Sequence, residues 1–446
     1  MSSVKINIFK PVGTAEYLEA AIKVAEYIQK HEIVTPEGKY WEISAAEGAG
    51  KEADEVESSF LNQRSLYAGA AGIGYFLVQL YEATGVDAYL KDAVAAGDHL
   101  VATYKEEISK NPGVHAGTSG EGLFLKLLYD KTKDEKYKSL AIKIADDIYH
   151  SATKDETGIH WNGFFDLMGD AGAVIYWLKA AEWTGDKKYV AYAGEVLDSI
   201  LKLGVSYDDE AKYWKLFDPS VYFGTLPKGG VVPNFAHGTA GVVYLFTKYY
   251  EATKDEAYLE EAKKGFRFLE KIAITDDDAS IVPYLYFEKE SRAYDIFYLG
   301  YCHGPAGDGI AVYELYKATG DEKYLEFFKR LSNALIKAGV PERRSGGYWN
   351  DCLCCGSAGV LYHFLTASDI NGKYLSYAER TAKKTIADAY KDSEGYRWYN
   401  AWTRIKPWDV DAHLGLYVGA AGSASALLAM YAKLENVKIT PLFEYE

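Results

Sequence analysis

The chain has 446 residues, of which 48% are hydrophobic and 25% charged, so it is long enough to bury a large core. Its formal net charge of −15 argues against nucleic acid or anionic lipid as partners, because both need a basic surface. No apolar run reaches the roughly 18 residues that span a bilayer, and the first residues lack the apolar core of a secretory signal. We therefore expect a cytoplasmic protein without a transmembrane segment.

The stretch ahead of residue 65 is predicted to contain an N-terminal helix and then an entry segment. Between Pro36 and Leu61 this stretch carries GKYW and the acidic run EGAGKEADEVESSF. We interpret the segment from Pro36 to Leu61 either as a flap over one mouth of the fold or as an entry strand.

A four-residue pattern, G-x-[AS]-G, recurs through the rest of the chain. Its seven copies start at Gly69, Gly117, Gly169, Gly238, Gly304, Gly356 and Gly419. An apolar run of roughly three turns follows each copy, for example IGYFLVQLYEAT. The mixed spacing of the apolar residues predicts an inner helix that is buried over much of its circumference.

Most of these apolar runs end in a second recurring signal, typified by TGDEKYL. It occurs at Thr84, Thr132, Thr184, Thr253 and Thr319. Glycine or lysine close ahead of aspartate predicts a helix stop, a tight turn and the N-cap of another helix. The second helices, such as DEKYLEFFKRLSNALIKAG, have one charged and one apolar face, which is typical of an outer layer.

Seven helical hairpins can stack as an open solenoid or close into a ring. A solenoid needs polar terminal repeats, but the last repeat, LGLYVGAAGSASALLAMYAKL, is as apolar as the first. We therefore predict an all-α fold, an (α/α)7 toroid with seven inner and seven outer helices. It would be a single domain over residues 1–446, with segment 1–64 preceding seven repeats that begin at about residue 65.

All four cysteines lie just ahead of two of the glycine motifs. Cys302 and Cys354 occupy the same position in successive repeats, so closure of the ring would make them neighbours, with Cys355 beside them. Three thiolates at helix amino termini suit a tetrahedral Zn²⁺ that keeps one coordination position open. The alternative is a cluster of buried thiols or an oxidisable pair. Cys352 lies outside the register and is interpreted as a bystander.

Two further polar residues are predicted at the same mouth of the ring. His237 in NFAHGTAG and Asp166 in FFDLMGDAG precede neighbouring inner helices, which favours a catalytic pair. The alternatives are a hydrogen-bonded structural histidine and a helix N-cap. His303 is interpreted as a zinc neighbour, a proton donor or part of a helix start, and His115 receives no role.

Together, the glycine repeats, the A-H-G and C-H-G motifs and the later cysteine pair before glycine resemble the lanthionine synthetase C-like family. The likeness extends from about Ser65 to the end of the sequence. It implies an α/α toroid whose zinc activates a peptide cysteine thiol for addition to dehydroalanine or dehydrobutyrine, forming a thioether ring. It also implies a dehydrated precursor peptide or a small thiol as partner; whether a dehydratase works alongside is left open by the sequence.

The resemblance assigns the metal ligands residue by residue. In the family, zinc is held by a cysteine in a C-[YH]-G motif and by a Cys-His pair in the C-H-G motif of the following repeat. Cys302 matches the first ligand and Cys354 the second, whereas the third position holds Cys355 in place of histidine. An all-cysteine set also occurs among the cyclase domains of larger bifunctional synthetases, so this departure is compatible with activity.

The resemblance also implies the acid–base roles. His237 would protonate the enolate that forms after thiolate attack, or help to deprotonate the thiol, and Asp166 would orient it. His303 is included as a third candidate catalytic residue. Tyr301 and Tyr298 stand where the family has an aromatic residue and an arginine ahead of the first metal cysteine, so contacts to substrate are expected to differ.

Two other functions remain open from the sequence. One is a zinc-containing protein of the same fold that binds or transfers a thiol, such as glutathione or a peptide, without cyclising it. The other is a carbohydrate-active toroid, with two carboxylates among Asp166, Asp308 and Asp351 as acid and base, and the aromatic run EGYRWYNAW stacking on sugar rings. The second leaves the shared position of the cysteines unexplained.

Overall fold

A computed structural model describes residues 13–42, 62–106, 110–216, 228–288, 292–294, 297–342, 350–401, 408 and 410–446. Within these ranges, fourteen α-helices form two concentric rings. The inner helices are α2 (Ala70–Thr84), α4 (Thr118–Thr132), α6 (Gly172–Thr184), α8 (Thr239–Thr253), α10 (Pro305–Thr319), α12 (Ser357–Ile370) and α14 (Ala420–Glu435). The outer helices are α1 (Thr14–Lys30), α3 (Asp87–Thr103), α5 (Glu135–Ser151), α7 (Lys188–Lys202), α9 (Glu256–Ile272), α11 (Glu322–Lys337) and α13 (Lys373–Asp388).

The ring is closed. Each inner helix contacts the next, and α14 contacts α2. A backbone hydrogen bond joins the last and first repeats, because the Tyr417 amide donates to the Tyr67 carbonyl at 2.8 Å. The predicted (α/α)7 toroid is therefore confirmed, and the open solenoid is excluded.

The seventh inner helix takes its outer partner from the beginning of the sequence. No α-helix follows α14 in the described residues, and α1 packs along α14 instead. The sequence places this first helix ahead of the repeats, whereas in three dimensions it completes the outer ring. Pairing of the first outer helix with the last inner helix ties the two ends of the repeat array together.

The repeated turn signal ends the inner helices as predicted, whereas its aspartate is the N-cap of the next outer helix in three of the five copies. All five inner helices that carry it end at its threonine, and the next residue adopts a left-handed conformation, as at Gly320 with φ of 68°. Asp134, Asp255 and Asp321 then cap the following outer helices by accepting a backbone N–H with the side chain. This aspartate satisfies an amide that would otherwise lack an intrahelical partner.

The core lies between the two rings. Inner helices are buried on nearly all sides; in α8, every residue from Thr239 to Thr247 is buried. Outer helices bury one face, as the sequence predicts for amphipathic helices. None of the helices in the described ranges combines the length and apolar character needed to cross a membrane.

Short antiparallel hairpins connect outer helices to the following inner helices. They are β1 (Glu32–Thr35) with β2 (Gly38–Trp41), β3 (Thr153–Asp155) with β4 (Gly158–His160), β5 (Gly204–Ser206) with β6 (Lys212–Trp214), β7 (Ile274–Asp276) with β8 (Ala279–Ile281), and β11 (Tyr390–Asp392) with β12 (Gly395–Arg397). Two more pairs, β9 (Leu285–Phe287) with β10 (Arg292–Tyr294) and β13 (Asn400–Ala401) with β14 (Val410–Asp411), lie nearer the inner-helix starts. The first hairpin accounts for Pro36 to Trp41 of the proposed flap, and residues 43–61 lie outside the described residues.

Tryptophans at the ends of these hairpins have a shared structural role. Trp41, Trp161, Trp214 and Trp398 each donate the indole N–H to a carbonyl in the last turns of the preceding outer helix, at 2.8 to 2.9 Å. Trp398 belongs to the EGYRWYNAW run and is 3% exposed. Trp398 therefore anchors a hairpin to the preceding outer helix, and its ring is too deeply buried to stack on a sugar ring.

Candidate metal centre

The glycine motifs fold the loop before each inner helix back onto its first turn. A Cβ added to Gly356 would lie 1.8 Å from the Asn350 carbonyl oxygen, and one added to Gly304 would lie 2.3 Å from that of Tyr298. Gly304 also has φ of +147°, which disfavours other residues. In these two repeats the tightest approach to the glycine is by the chain's own carbonyl oxygen six residues earlier.

These folded loops are joined around the mouth by backbone hydrogen bonds. Met168 N–H donates to Ala236, Ala236 N–H to Cys302, Cys302 N–H to Cys354, and Cys354 N–H to Tyr417, at 2.9 to 3.3 Å. Each bond connects residues of nearly equivalent position in successive repeats. The bonds therefore bring side chains from five repeats to one end of the ring.

The sulfur atoms of Cys302, Cys354 and Cys355 all lie within 4.8 Å of one another. Cys302 Sγ and Cys355 Sγ are 3.5 Å apart, and no disulfide joins them. Two sulfurs bound to one tetrahedral zinc ion at about 2.3 Å are separated by about 3.8 Å. The donor set and its spacing therefore fit zinc, with three soft ligands for a tetrahedral ion.

Hydrogen bonds within the cluster favour a thiolate at Cys354. The Cys302 thiol donates to Cys354 Sγ and lowers the pKa of Cys354 well below its usual value, and the Cys355 thiol and the Tyr67 hydroxyl add to this effect. The same hydrogen bond raises the pKa of Cys302. These hydrogen bonds thus favour one thiolate, at Cys354, with Cys302 and Cys355 as thiol donors to it.

Cys352 lies beside this cluster without joining it. Its sulfur is not among the three that lie mutually within 4.8 Å, and it accepts the Cys355 backbone N–H at 3.4 Å. The Cys352 amide in turn donates to Asn350 Oδ1 at 2.9 Å. These bonds give Cys352 a role in shaping the loop that carries two of the candidate ligands.

His237 and Asp166 form a hydrogen-bonded pair on the neighbouring loops. His237 Nδ1 is 2.8 Å from Asp166 Oδ2, and the other carboxylate oxygen of Asp166 accepts the Gly169 N–H at 2.7 Å. Asp166 is buried, whereas the His237 side chain is 13% exposed. The carboxylate thus accepts a loop amide and partners the histidine at once, but it does not cap the helix, because the N-cap position is Ala171. The ring of His237 stays accessible from the mouth.

His303 is packed among aromatic rings behind this pair. Its ring stacks on His237 with centroids 5.3 Å apart and meets the edge of Tyr284 at 4.8 Å. Burial lowers the pKa of His303 well below its usual value, and the nearby His237 contributes to the shift. The geometry therefore favours a neutral imidazole at this position over a cationic proton donor.

His115 lies deeper in the ring. Its Nε2 is 2.8 Å from the Tyr301 hydroxyl and 3.2 Å from Glu444 Oε1, and the side chain is fully buried. It shares the register of Cys302 and Cys354 but belongs to a different cluster. The structure thus separates His115 from the histidine and carboxylate at the mouth.

The family model described as "Lanthionine synthetase C-like protein" matches residues 61–442. The chain belongs to this family. A search of curated protein sequences gave no match. Nisin cyclase has a similar solved structure, with a TM-score of 0.62 and 16% sequence identity over 86% of this chain and 97% of that chain. At this identity, the likeness shows a shared toroid fold.

Two carbohydrate-active enzymes give weaker structural matches. The unsaturated glucuronyl hydrolase from Bacillus sp. GL1 has a TM-score of 0.49 and 16% identity, covering 95% of this chain and 98% of its own. The alpha-1,6-mannanase GH76A from Salegentibacter sp. HEL1_6 has a TM-score of 0.47 and 14% identity, covering 94% and 99%. Scores this low carry no argument about function.

Sequence reasoning missed Gly300 and the side-chain role of Tyr67. A Cβ on Gly300 would lie 3.0 Å from the Cys354 carbonyl oxygen and from the backbone of Cys355, so glycine lets the two metal loops approach. Tyr67 reaches the Cys354 sulfur from the first repeat. Tyr67 could have been recognised from the sequence, because it occupies the same position before its glycine motif as Cys302 and Cys354. Gly300 could not, because the residue that restricts it to glycine lies 54 positions away.

The two aspartates proposed for carbohydrate chemistry besides Asp166 are buried. Asp351 accepts a hydrogen bond from Ser357 Oγ at 3.0 Å, and Asp308 accepts one from Asn234 Nδ2 at 3.0 Å. Asp308 lies in the first turn of α10 with its side chain fully enclosed, and Asp351 lies in the loop ahead of α12. Their surroundings favour structural roles.

Asp308 should make stability depend on pH. Burial raises its pKa to about 8, against about 4 for an unfolded chain. Since the folded state holds the proton more tightly, its contribution is complete below about pH 4 and is lost as the pH rises through about 8. Between these limits, Asp308 should lower the unfolding free energy by up to about 1.4 kcal/mol per pH unit.

The variant Asp308→Asn should lack this part of the pH dependence. Urea denaturation of both proteins between pH 5 and about 8 would measure it, with the difference between their slopes as the readout. Parallel slopes would show that Asp308 does not hold a proton in the folded protein.

Proposed function

We propose that the protein is a zinc-dependent enzyme that forms thioethers by adding a cysteine thiol to dehydroalanine or dehydrobutyrine in a peptide. The observation that carries this proposal is the meeting of three thiols with a histidine–carboxylate pair on successive loops at one mouth. Membership of the lanthionine synthetase C-like family supports it independently. Cys302, Cys354 and Cys355 would hold the metal.

Bound zinc would supply a thiolate nucleophile by lowering the pKa of the incoming thiol. Three cysteine ligands carry one more negative charge than two cysteines and a neutral histidine. Cys355 would therefore leave the substrate sulfur more nucleophilic, while weakening the drop in its pKa. This difference is the expected chemical consequence of cysteine in the third ligand position.

His237 would handle the proton. Its Nδ1–H donates to Asp166, so Nε2 is the ring nitrogen that would accept the thiol proton or return a proton to carbon. The addition balances without any oxidant, because a C–S bond forms, the C=C bond becomes single, and the thiol proton ends on the α-carbon. Asp166 would hold the imidazole in orientation throughout, and neutral His303 would pack behind it.

The substrate would be a dehydrated peptide that carries its own cysteine, giving an intramolecular ring. A dehydratase acting beforehand is implied, since the alkene must come from serine or threonine by loss of water. A small thiol such as glutathione would make the same C–S bond between two molecules. Both are consistent with the same metal and acid–base groups.

The test uses zinc-loaded protein and a synthetic peptide that contains one dehydroalanine and one cysteine. We expect the free thiol to disappear, as measured by alkylation and mass spectrometry, while the peptide mass stays unchanged. A second reaction pairs glutathione with a peptide that contains dehydroalanine but no cysteine. Rapid product formation in the second reaction but not in the first would show that the enzyme transfers thiols between molecules. Stoichiometric zinc without product in either reaction would overturn the proposal that the protein is an enzyme.

A further inference from the structure

The segment that follows α14 runs into the axis of the ring. Thr440 is held at the far end of α2, where its amide donates to Glu82 Oε2 at 2.5 Å and its carbonyl accepts from Gln79 Nε2 at 2.8 Å. One residue on, the Pro441 carbonyl accepts the Tyr75 hydroxyl. These contacts follow α2 from its last turns towards its start. The segment therefore approaches the candidate metal centre from the side of the C-terminal end of α2.

Glu444 is the point where this segment meets the loops of the metal mouth. Its Oε1 accepts hydrogen bonds from the Tyr417 hydroxyl at 2.5 Å and the Tyr301 hydroxyl at 2.7 Å, and His115 Nε2 lies 3.2 Å away. Glu444 is 4% exposed, and burial of a carboxylate is costly unless such donors satisfy it. Residues from three repeats that are far apart in the sequence therefore contact the Glu444 carboxylate.

Both tyrosines connect directly to the candidate zinc ligands through the backbone. Tyr301 immediately precedes Cys302 in the chain. The Tyr417 carbonyl accepts the Cys354 N–H at 2.9 Å, and the Cys354 carbonyl accepts the Cys302 N–H at 3.0 Å. A shift of either tyrosine would therefore move a sulfur ligand.

We propose that Glu444 is a positioning residue for the metal site, fixing the Cys302 and Cys354 loops by accepting hydrogen bonds from Tyr301 and Tyr417. This inference rests on the proposed zinc centre and adds to it a determinant that lies more than 80 residues beyond the ligands. Loss of an outer-sphere partner costs about 10- to 100-fold in metal affinity in other proteins. We expect the Glu444 effect near the lower end, because it acts through two intervening tyrosines.

The experiment measures zinc affinity by competition with a chromogenic chelator, and ligand geometry by the absorption of the Co²⁺-substituted protein. Glu444→Ala should weaken zinc binding by about tenfold and shift the Co²⁺ bands. Glu444→Gln keeps an acceptor oxygen without the charge and should give a smaller loss of about threefold. If the Glu444→Ala variant does not fold, the zinc affinity and Co²⁺ spectrum of Glu444→Gln test the proposal instead.

Glu82→Gln is the matched control, because it loosens the same segment at Thr440 without touching Tyr301 or Tyr417. We expect its zinc affinity and Co²⁺ spectrum to match wild type. Wild-type values in both Glu444 variants, or equal losses in Glu82→Gln and Glu444→Gln, would overturn the positioning role. Absence of zinc binding by the wild-type protein would instead contradict the proposed function, so the two failures are distinguishable.

Discussion

Replacing Cys302 or Cys354 with alanine is expected to remove zinc and to abolish thioether formation. Each change leaves two thiol ligands from the cluster, and the loss of a direct ligand should exceed the roughly 100-fold upper range for outer-sphere partners. Metal content of the purified protein, measured by elemental analysis, and loss of free thiol from the dehydroalanine peptide would check both results. Fold retention is verified by circular dichroism.

Two other cysteine variants act as controls for this first prediction. Cys352→Ala should keep stoichiometric zinc, because the Cys352 sulfur is not among the three that lie mutually within 4.8 Å. Cys355→His should also keep zinc, since it restores the family's third ligand. Full zinc content in Cys302→Ala, or its loss in Cys352→Ala alone, would show that the three-sulfur site has been assigned wrongly.

The second large effect is expected at the histidine–carboxylate pair. His237→Ala should lower kcat by about 10²- to 10⁴-fold, the usual contribution of a positioned acid or base, while zinc content stays that of wild type. Asp166→Asn keeps an oxygen for the Gly169 amide but weakens the orientation of His237, so a smaller loss is expected. Single-turnover rates with the dehydroalanine peptide provide the measurement.

His31→Ala is a suitable control for this second prediction, because His31 is exposed and belongs to the turn after α1. Its rate and zinc content should equal those of wild type. Unchanged thioether formation by zinc-loaded His237→Ala would remove this histidine from the mechanism and leave the metal thiolate as the main catalytic element.

Much of the architecture could be predicted from local patterns. The T-[GK]-D signal, which reads T-G-V-D at Thr84, predicts the last residue of five inner helices, because the left-handed residue that ends each helix directly follows the threonine. The ring was predictable as well, since the apolar last repeat offers no polar cap for a solenoid. Each conclusion depends on chemistry that the sequence displays locally.

The candidate site was predictable to the extent that the repeat register carries it. Cys302 and Cys354 share a position relative to their glycine motifs, and the structure places their sulfurs together. The contact between His237 and Asp166 also follows from the register, because their repeats are adjacent. Their catalytic roles remain predictions.

The spacing of residues within and between equivalent repeats was enough to predict the repeat, the helix ends, the closed ring and the gathering of three thiols. Only the tertiary structure showed that α1 completes the outer ring and that Glu444 reaches the loops beside Cys302 and Cys354. These contacts join segments outside the repeat pattern to residues hundreds of positions away or on other helices. No local periodicity predicts these contacts, because they depend on which segments occupy the centre of the ring and the junction between its first and last repeats.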